Sequence, residues 1–425
     1  MDPTIRLDQL PNHPPGNPGL PNAPAIRLEA ITGRTTAHAG EATTTEVLLR
    51  IIGGGQPVSG ARVPLNLCLV IDRSGSMDGQ PLAAVRDACK HVVAQLGPTD
   101  ILSIVTFEEN VDIVLPAKHV TSPEIISAYI DRITAGNTTN LFDGLYAGGV
   151  QVTSVPLTGY ASRLILLTDG EPTAGLKDPA SILRQVEQLR AQGVVVSAMG
   201  FGPDYQEDLM ASIARTGGGN YTYIAHAGQV AAAFQRELTG AMSVVATKAV
   251  LRFELPDNNQ LAGDIDTMLP DIEAGTTIER LVTIKSGPRG TGQYRILKAS
   301  VDATSPSTRQ PIRASTDAIV TFADAPNASS APRNPAVSTA MGLHSAALDL
   351  EKTLNGMRTM SFSAVDVTQM LNRTQAMLAQ TGRVQEAAQV ADATRAFQTG
   401  NQDHLEKTLV GTLYALDLGK TGGPA

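Results

Sequence analysis

Apolar and polar positions change rhythm three times along the chain. Residues 1–24 carry seven prolines among Asn and Gly and no periodic apolar pattern, which predicts an extended, poorly packed arm. From Ala25 the texture is that of strands: IRLEAI (26–31), TTEVLLRII (44–52) and ARVPLNLCLVID (61–72), the last two separated by the turn IGGGQPVSG. Between Leu65 and about Val245 strands and helices alternate. NLCLVI (66–71), ILSIVTF (101–107), RLILLTD (163–169) and VVVSAMGFG (194–202) are continuous apolar runs, as expected of strands covered on both faces. Leu82, Val85, Cys89, Val92, Val93 and Leu96 recur at helical spacing. Helices are also predicted over 123–133, 141–152, 179–192, 204–215 and 229–242, with NYTYI (220–224) an edge-like strand. From Ala246 the pattern reverts to strands at 249–255, 278–286, 294–303 and 317–323. A Pro/Ala/Ser/Asn linker, ADAPNASSAPRNPA (323–336), follows. The remainder reads as four helices, 335–354, 363–381, 383–398 and 403–418, with Gly382 and Gly400 as stops. Val367, Met370, Leu371, Met377 and Leu378 share one face of the second, a packing stripe. No internal repeat is evident.

Strand–helix alternation over 64–245 implies an α/β fold, a mostly parallel sheet with helices on both faces. The chain's 425 residues are enough for two to four domains at roughly 100–200 residues each. With 42% hydrophobic and 17% charged residues it is neither a disordered nor a collagen-like chain. The net charge is −8 and no Lys/Arg run stands out, which argues against a nucleic-acid or anionic-membrane surface. Aromatic residues are 4% with no Trp, which argues against a stacking platform for single strands. Met1 to Leu20 has no apolar signal core, and no apolar run reaches ~18 residues, so the expectation is a cytoplasmic protein without membrane insertion. Cys68 and Cys89 cannot build a disulfide framework or a four-thiolate zinc site; they read as reduced core thiols.

In open parallel sheets ligands bind beyond the carboxyl ends of the strands. Strand 66–71 ends in Asp72-Arg73-Ser74-Gly75-Ser76, strand 163–168 ends in Asp169-Gly170, and the loop before helix 141–152 reads Gly136-Asn137-Thr138-Thr139-Asn140. Two carboxylates and three hydroxyls, with no soft ligand, form a hard-cation set suited to octahedral Mg²⁺ or Mn²⁺; Ca²⁺ is compatible. Gly75 permits the tight turn, and the N-terminus of the following helix is expected to orient the hydroxyls. The seven histidines lack metal-ligand spacing, and neither GxxxxGK[ST] nor GxSxG occurs.

Asp72-x-Ser74-x-Ser76, Thr139 in the TTN stretch and Asp169 in LLTDG together resemble the metal-ion-dependent adhesion site of von Willebrand factor A (VWA) domains. The resemblance spans roughly 64–245, element order included, so the fold it implies is Rossmann-like. It implies direct metal bonds from the hydroxyls of Ser74 and Ser76. Asp72 and Asp169 would hold coordinated waters, and Thr139 would bind directly or through water. The partner it implies is a protein offering an Asp or Glu carboxylate to the last coordination position. Integrin β-type relatives carry a second, adjacent metal site with further acidic residues. Here Met77 and Asp78 follow the motif, so no second site is expected, Asp78 reads as a helix N-cap and Glu171 as a solvated loop carboxylate.

Related chains with β regions around such a domain suggest that 25–63 and 246–323 form one β-sandwich interrupted by the VWA domain. The expected organisation is therefore an arm (1–24), a sandwich (25–63 plus 246–323), a VWA domain (64–245), a linker (324–334) and a C-terminal α-helical region (335–425). The expected function is that of a non-enzymatic, metal-dependent protein-binding scaffold. One alternative is a subunit serving an AAA+ ATPase of the chelatase or MoxR type. A metal-dependent phosphohydrolase fits less well, because Ser74 stands where an aspartyl-phosphate enzyme needs a second Asp.

Overall fold

In the computed structural model the described residues are 24–54, 62–325 and 328–421. The expected arm, apart from Pro24, and most of the turn between the second and third strand candidates lie outside them. The first strands are β1 (Ile26–Thr32), β2 (Thr36–His38) and β3 (Thr43–Gly53). The α/β unit follows: β4 (Leu65–Asp72), α1 (Gln80–Gln95), β5 (Ile101–Phe107), β6 (Val111–His119), α2 (Pro123–Ile130), α3 (Leu141–Thr153), β7 (Ala161–Thr168), α4 (Pro179–Gln192), β8 (Val195–Phe201), α5 (Glu207–Gly217), β9 (Gly218–Ile224) and α6 (Val230–Met242). Its sheet runs β6-β5-β4-β7-β8-β9, parallel throughout except for the antiparallel β6.

Strand alternation divides the side chains of β4 between two cores. Leu67, Leu69 and Ile71 pack with α1, α2 and α6, while Cys68 and Val70 pack with α3, α4 and α5. Cys68 and Cys89 thus lie buried on opposite faces of the sheet, and burial pushes each thiol up to about 12. Strand β6 falls in a stretch to which the sequence pattern assigns no element. It is an exposed edge with Asp112, Pro116 and Lys118, so it lacks the apolar run that marks the buried strands.

After α6 the chain enters β10 (Val244–Glu254), then β11 (Asn259–Leu261), β12 (Ile272–Glu273), β13 (Thr277–Ser286), β14 (Gly292–Thr304) and β15 (Pro311–Ala323). Helices α7 (Pro335–Arg358), α8 (Ala364–Gln380), α9 (Val384–Thr399) and α10 (Gln402–Leu418) and the short β16 (Lys420–Thr421) complete it. Two further sheets result: β1-β3-β13-β11 with β16 on β13, and β12-β10-β14-β15-β2. They share one apolar core in which Val47, Leu49, Ile51 and Val282 of the first meet Leu251, Val301, Val320 and Phe322 of the second. Leu48, pointing the other way, packs on Val337 and Ala340 of α7.

The four helices extend the α3–α5 side of the α/β core through Leu350, Leu371, Val390 and Leu409. Tyr414 of α10 donates its hydroxyl to the Gly219 carbonyl at 2.7 Å. Both ends of this helical group are tied to the first sheet. Val337 sits on Leu48, and β16 pairs with β13, supported by Arg280 Nη1 donating to the Leu418 carbonyl at 2.9 Å. No helix among the described residues is long and apolar enough to cross a membrane.

Candidate metal centre

The site is built where β4 and β7 end side by side. Their register pairs Ile71 with Leu167, so Asp72 and Thr168 emerge together. Asp72 is fully buried. Its Oδ1 accepts the Ser74 N–H at 2.8 Å and its Oδ2 accepts the Thr168 hydroxyl at 2.5 Å. Beyond Asp72 the chain makes one 3₁₀ turn, Gly75–Met77, and α1 begins only at Gln80. The expectation that Asp78 caps this helix is therefore corrected. Its backbone N–H closes the 3₁₀ turn on the Gly75 carbonyl, while Gly79, at φ 80°, holds the cap position. Pro81 in the first turn sets the helix start there.

The 3₁₀ turn aims the two serines at Asp169. Ser76 Oγ donates to Asp169 Oδ1 at 2.9 Å, Ser74 Oγ reaches the same oxygen at 3.3 Å, and the two hydroxyls stand 3.1 Å apart. Ser74 and Asp169 are buried, whereas Ser76 is exposed. Thr139 is buried beside them, and its hydroxyl faces Gly170, where a Cβ would meet it in ordinary contact at 3.4 Å. Its N–H donates to Thr173 Oγ1 at 2.9 Å, and its carbonyl accepts the N–H groups of Thr173 and Ala174 at 3.0 and 3.2 Å. Hydrogen bonds thus bring Asp72, Ser74, Ser76 and Asp169 together directly, and Thr139 is held against the Asp169–Gly170 turn.

Burial pushes the Asp72 carboxyl up to about 6, against the hydrogen bonds from Thr168 and Ser74, and Asp169 adds repulsion. Asp169 is raised too, by burial first and by Asp204 in addition, while Ser76 and Ser74 hold it down. The side-chain groups bonded to both carboxylates are neutral hydroxyls.

Geometry tests whether these atoms suit a cation. Oxygens in adjacent octahedral positions around Mg²⁺ at ~2.0–2.1 Å are themselves ~2.9 Å apart. The Ser74 and Ser76 hydroxyls, 3.1 Å apart, stand close to the spacing of two adjacent positions of such an octahedron, and Asp169 accepts from both. All three are hard donors and fit Mg²⁺ or Mn²⁺. Among the described residues there is no group of three or more His, Cys, Asp or Glu that could hold a metal.

Sequence reasoning missed three supporting residues. Thr168 becomes a partner of Asp72 only through the β4–β7 register. Thr173 returns from the loop after Asp169 to bind the Thr139 backbone. Glu108, just past β5, accepts the Asn140 N–H on its carbonyl at 2.8 Å. Glu171 is exposed and opens onto a cleft of about 810 Å³ shared with Asp204, Glu207, Asp403, Glu406 and Lys407.

Residues 66–236 match the family model of the von Willebrand factor type A domain. The chain is 31% identical over 237 residues to the uncharacterized protein sll0103 of Synechocystis sp., covering 56% of each. It is 34% identical over 192 residues to YfbK of Escherichia coli, covering 44% of this chain and 33% of that one. With bovine inter-alpha-trypsin inhibitor heavy chain H1 it shares 32% over 147 residues, 33% of this chain and 16% of the other. The matches therefore span about half of the first of these relatives and less of the others. In fold, the chain resembles a von Willebrand factor type A protein from Catenulispora acidiphila, with a TM-score of 0.68, 16% identity and coverage of 88% of this chain and 91% of that one. It also resembles the ArnB paralog VWA2 from Sulfolobus acidocaldarius, with a TM-score of 0.63, 18% identity and coverage of 92% and 98%. These likenesses extend well beyond the α/β unit, so the additional strands and the C-terminal helices belong to the shared architecture.

Proposed function

We propose that the von Willebrand factor type A domain of this chain is a non-enzymatic binding module that holds a divalent cation at Asp72, Ser74, Ser76, Thr139 and Asp169 and captures an Asp or Glu carboxylate of a protein partner. The observation that carries this reading is the convergence of the Ser74 and Ser76 hydroxyls on one oxygen of Asp169, with the two hydroxyls 3.1 Å apart, a spacing suited to neighbouring positions on a single hard ion. The cation, Mg²⁺ or Mn²⁺ with Ca²⁺ compatible, would supply the attraction for an external anion.

The chain's own residues set the terms. Ser74 and Ser76 are neutral donors and leave the ion's charge largely uncompensated. Asp72, with one oxygen on a backbone N–H and the other on Thr168, fits a supporting role behind the serines, through water. Exposure of Ser76 leaves an approach open from solvent. The C-terminal helices share an apolar core with the α/β unit that carries the rim, a support that suits a scaffold.

Calorimetric titration of the full chain with Mg²⁺ and Mn²⁺ tests the metal. Saturable binding is expected for the wild type and none for Asp169→Ala at unchanged circular dichroism. Capture experiments in Mg²⁺ and in EDTA, read by mass spectrometry, then test the partner class. Substituting Asn or Gln for the acidic residue of the captured protein should abolish the complex. A wild type that binds neither metal refutes the site, and capture insensitive to EDTA refutes its role.

A further inference from the structure

We infer that Glu108 and Gly136 form a positioning contact that fixes the Thr139 loop against the Asp72–Ser76 loop and thereby sets how tightly the site holds a divalent cation. The inference rests on the metal reading above but concerns two residues outside the five candidate donors.

Asp72 ends β4 and Asp169 follows the neighbouring β7, so sheet hydrogen bonds set their separation. Thr139 comes instead from the connection between α2 and α3, and its distance from the other donors must be set by lateral contacts. Thr173 and Ala174 hold the Thr139 backbone itself, and Glu108 supports the loop upstream of it. Glu108 is buried, and its carboxylate accepts the N–H of Glu109 at 2.6 Å, the N–H of Asn110 at 3.2 Å and the Asn110 amide at 3.1 Å. The Arg73 guanidinium, also bound to Asp112 at 2.8 Å, reaches it at 3.4 Å. So tied, the Glu108 stem is a fixed surface, and the loop rests on it at Gly136. A Cβ at 136 would lie 2.6 Å from Glu108 Cγ and 3.0 Å from its Cβ and Cδ.

Gly136 is not among the glycines of positive φ, so what it provides is close approach and not an unusual backbone conformation. Its N–H donates to the Arg73 carbonyl at 2.6 Å, and the Gly75 N–H returns to the Asn137 carbonyl at 3.1 Å. These two bonds place the Gly136–Asn137 backbone beside the Asp72–Ser76 loop, so it is here that the loop carrying Thr139 is located against the other donors.

The test is Mn²⁺ titration of the full chain, with melting temperature and circular dichroism as controls on folding. Gly136→Ala should weaken Mn²⁺ binding about tenfold, the scale seen when outer support of a metal site is lost. In a Thr139→Ala background it should cost little more, because the lost positioning acts through Thr139. Adding Glu108→Ala to Gly136→Ala removes the clashing Cγ and Cδ and should tighten binding relative to Gly136→Ala alone; independent structural damage would weaken it further. If Gly136→Ala does not fold, Glu108→Gln keeps the stem, gives up the charge and should weaken Mn²⁺ binding severalfold in the wild-type background only. Wild-type affinity in Gly136→Ala, or equal losses with and without Thr139, overturns the inference while leaving the metal site standing. No saturable binding by the wild type, in contrast, overturns the metal reading and this inference with it.

Discussion

Asp100→Asn should unfold the chain markedly more easily at neutral pH, and the defect should fade in acid. Asp100 is fully buried behind the start of β4. Its Oδ1 accepts Arg62 Nη1 at 2.7 Å and the Leu65 N–H at 2.8 Å, while its Oδ2 accepts the Gly97 N–H at 2.7 Å and Arg62 Nη2. One carboxylate therefore ties the chain entering β4 to the turn leaving α1. An Asn amide can replace only one of the two oxygens; its NH₂ then faces two donors, whichever way it is turned. Losing a charge-assisted bond costs about 1.5–3 kcal/mol, and stranding a buried N–H about 1–3 kcal/mol more. The sum is roughly 2.5–6 kcal/mol, a range that brackets the figure of about 3–5 kcal/mol for breaking a buried ion pair.

Burial alone would raise this carboxyl, but Arg62 and the two backbone N–H groups outweigh it and hold it below the usual Asp value. A depressed carboxyl contributes its full stability above the unfolded-state pKa of about 3.9 and loses it as pH falls through the folded value. Urea unfolding followed by circular dichroism should thus show the full wild-type advantage at pH 7 and a shrinking one below about pH 4. A difference that stays constant from neutral pH to well below the folded value, or a variant within about 0.5 kcal/mol of wild type at pH 7, would refute the account.

Thr168→Val keeps the shape of the β7 end but removes the donor to Asp72; Mn²⁺ affinity should drop about tenfold or more with unchanged circular dichroism, measured by calorimetry. Gly148→Ala places a Cβ 2.3 Å from Val70 Cγ2 and 3.1 Å from Leu164 Cδ1 beneath α3, so overpacking should destabilise by about 1–3 kcal/mol in urea titrations. Cys68 and Cys89, buried and with thiols pushed up to about 12, should resist a thiol reagent at pH 8 in the native state and both react once urea unfolds the chain. Reaction of either thiol at the rate of a free one would contradict their placement.

Elements whose signals are local were legible in the sequence. The helix Pro179–Gln192 is bracketed by an Asp178 cap, Pro179 at its first turn and Gly193 in the left-handed conformation, and its bounds follow from them. The buried strands show as unbroken apolar runs because helices cover both faces. β6 carried no such signal: exposed on the edge, it alternates imperfectly and contains Pro116. The long-range pairings were not legible, since nothing in TTEVLLRII says that β3 pairs with β13 across more than two hundred residues. At the rim, the donor types were legible as Asp, Ser and Thr at strand ends. Their supports were not. Thr168 depends on register, Glu108 on the fall of a distant loop, and the 3₁₀ turn before α1 on a glycine that could equally have begun the helix.

The C-terminal helices are anchored on one sheet at both ends, by Val337 against Leu48 and by β16 along β13. That arrangement works as a clasp. A protease nick at the αL glycine between α8 and α9, Gly382, would leave two fragments each still fastened to the body. Under native conditions they should travel as one particle on gel filtration and separate only in denaturant. The group can therefore tolerate a broken backbone in its middle, yet swinging it away as a lid would require undoing one of these two fastenings and the apolar core it shares with α3–α5.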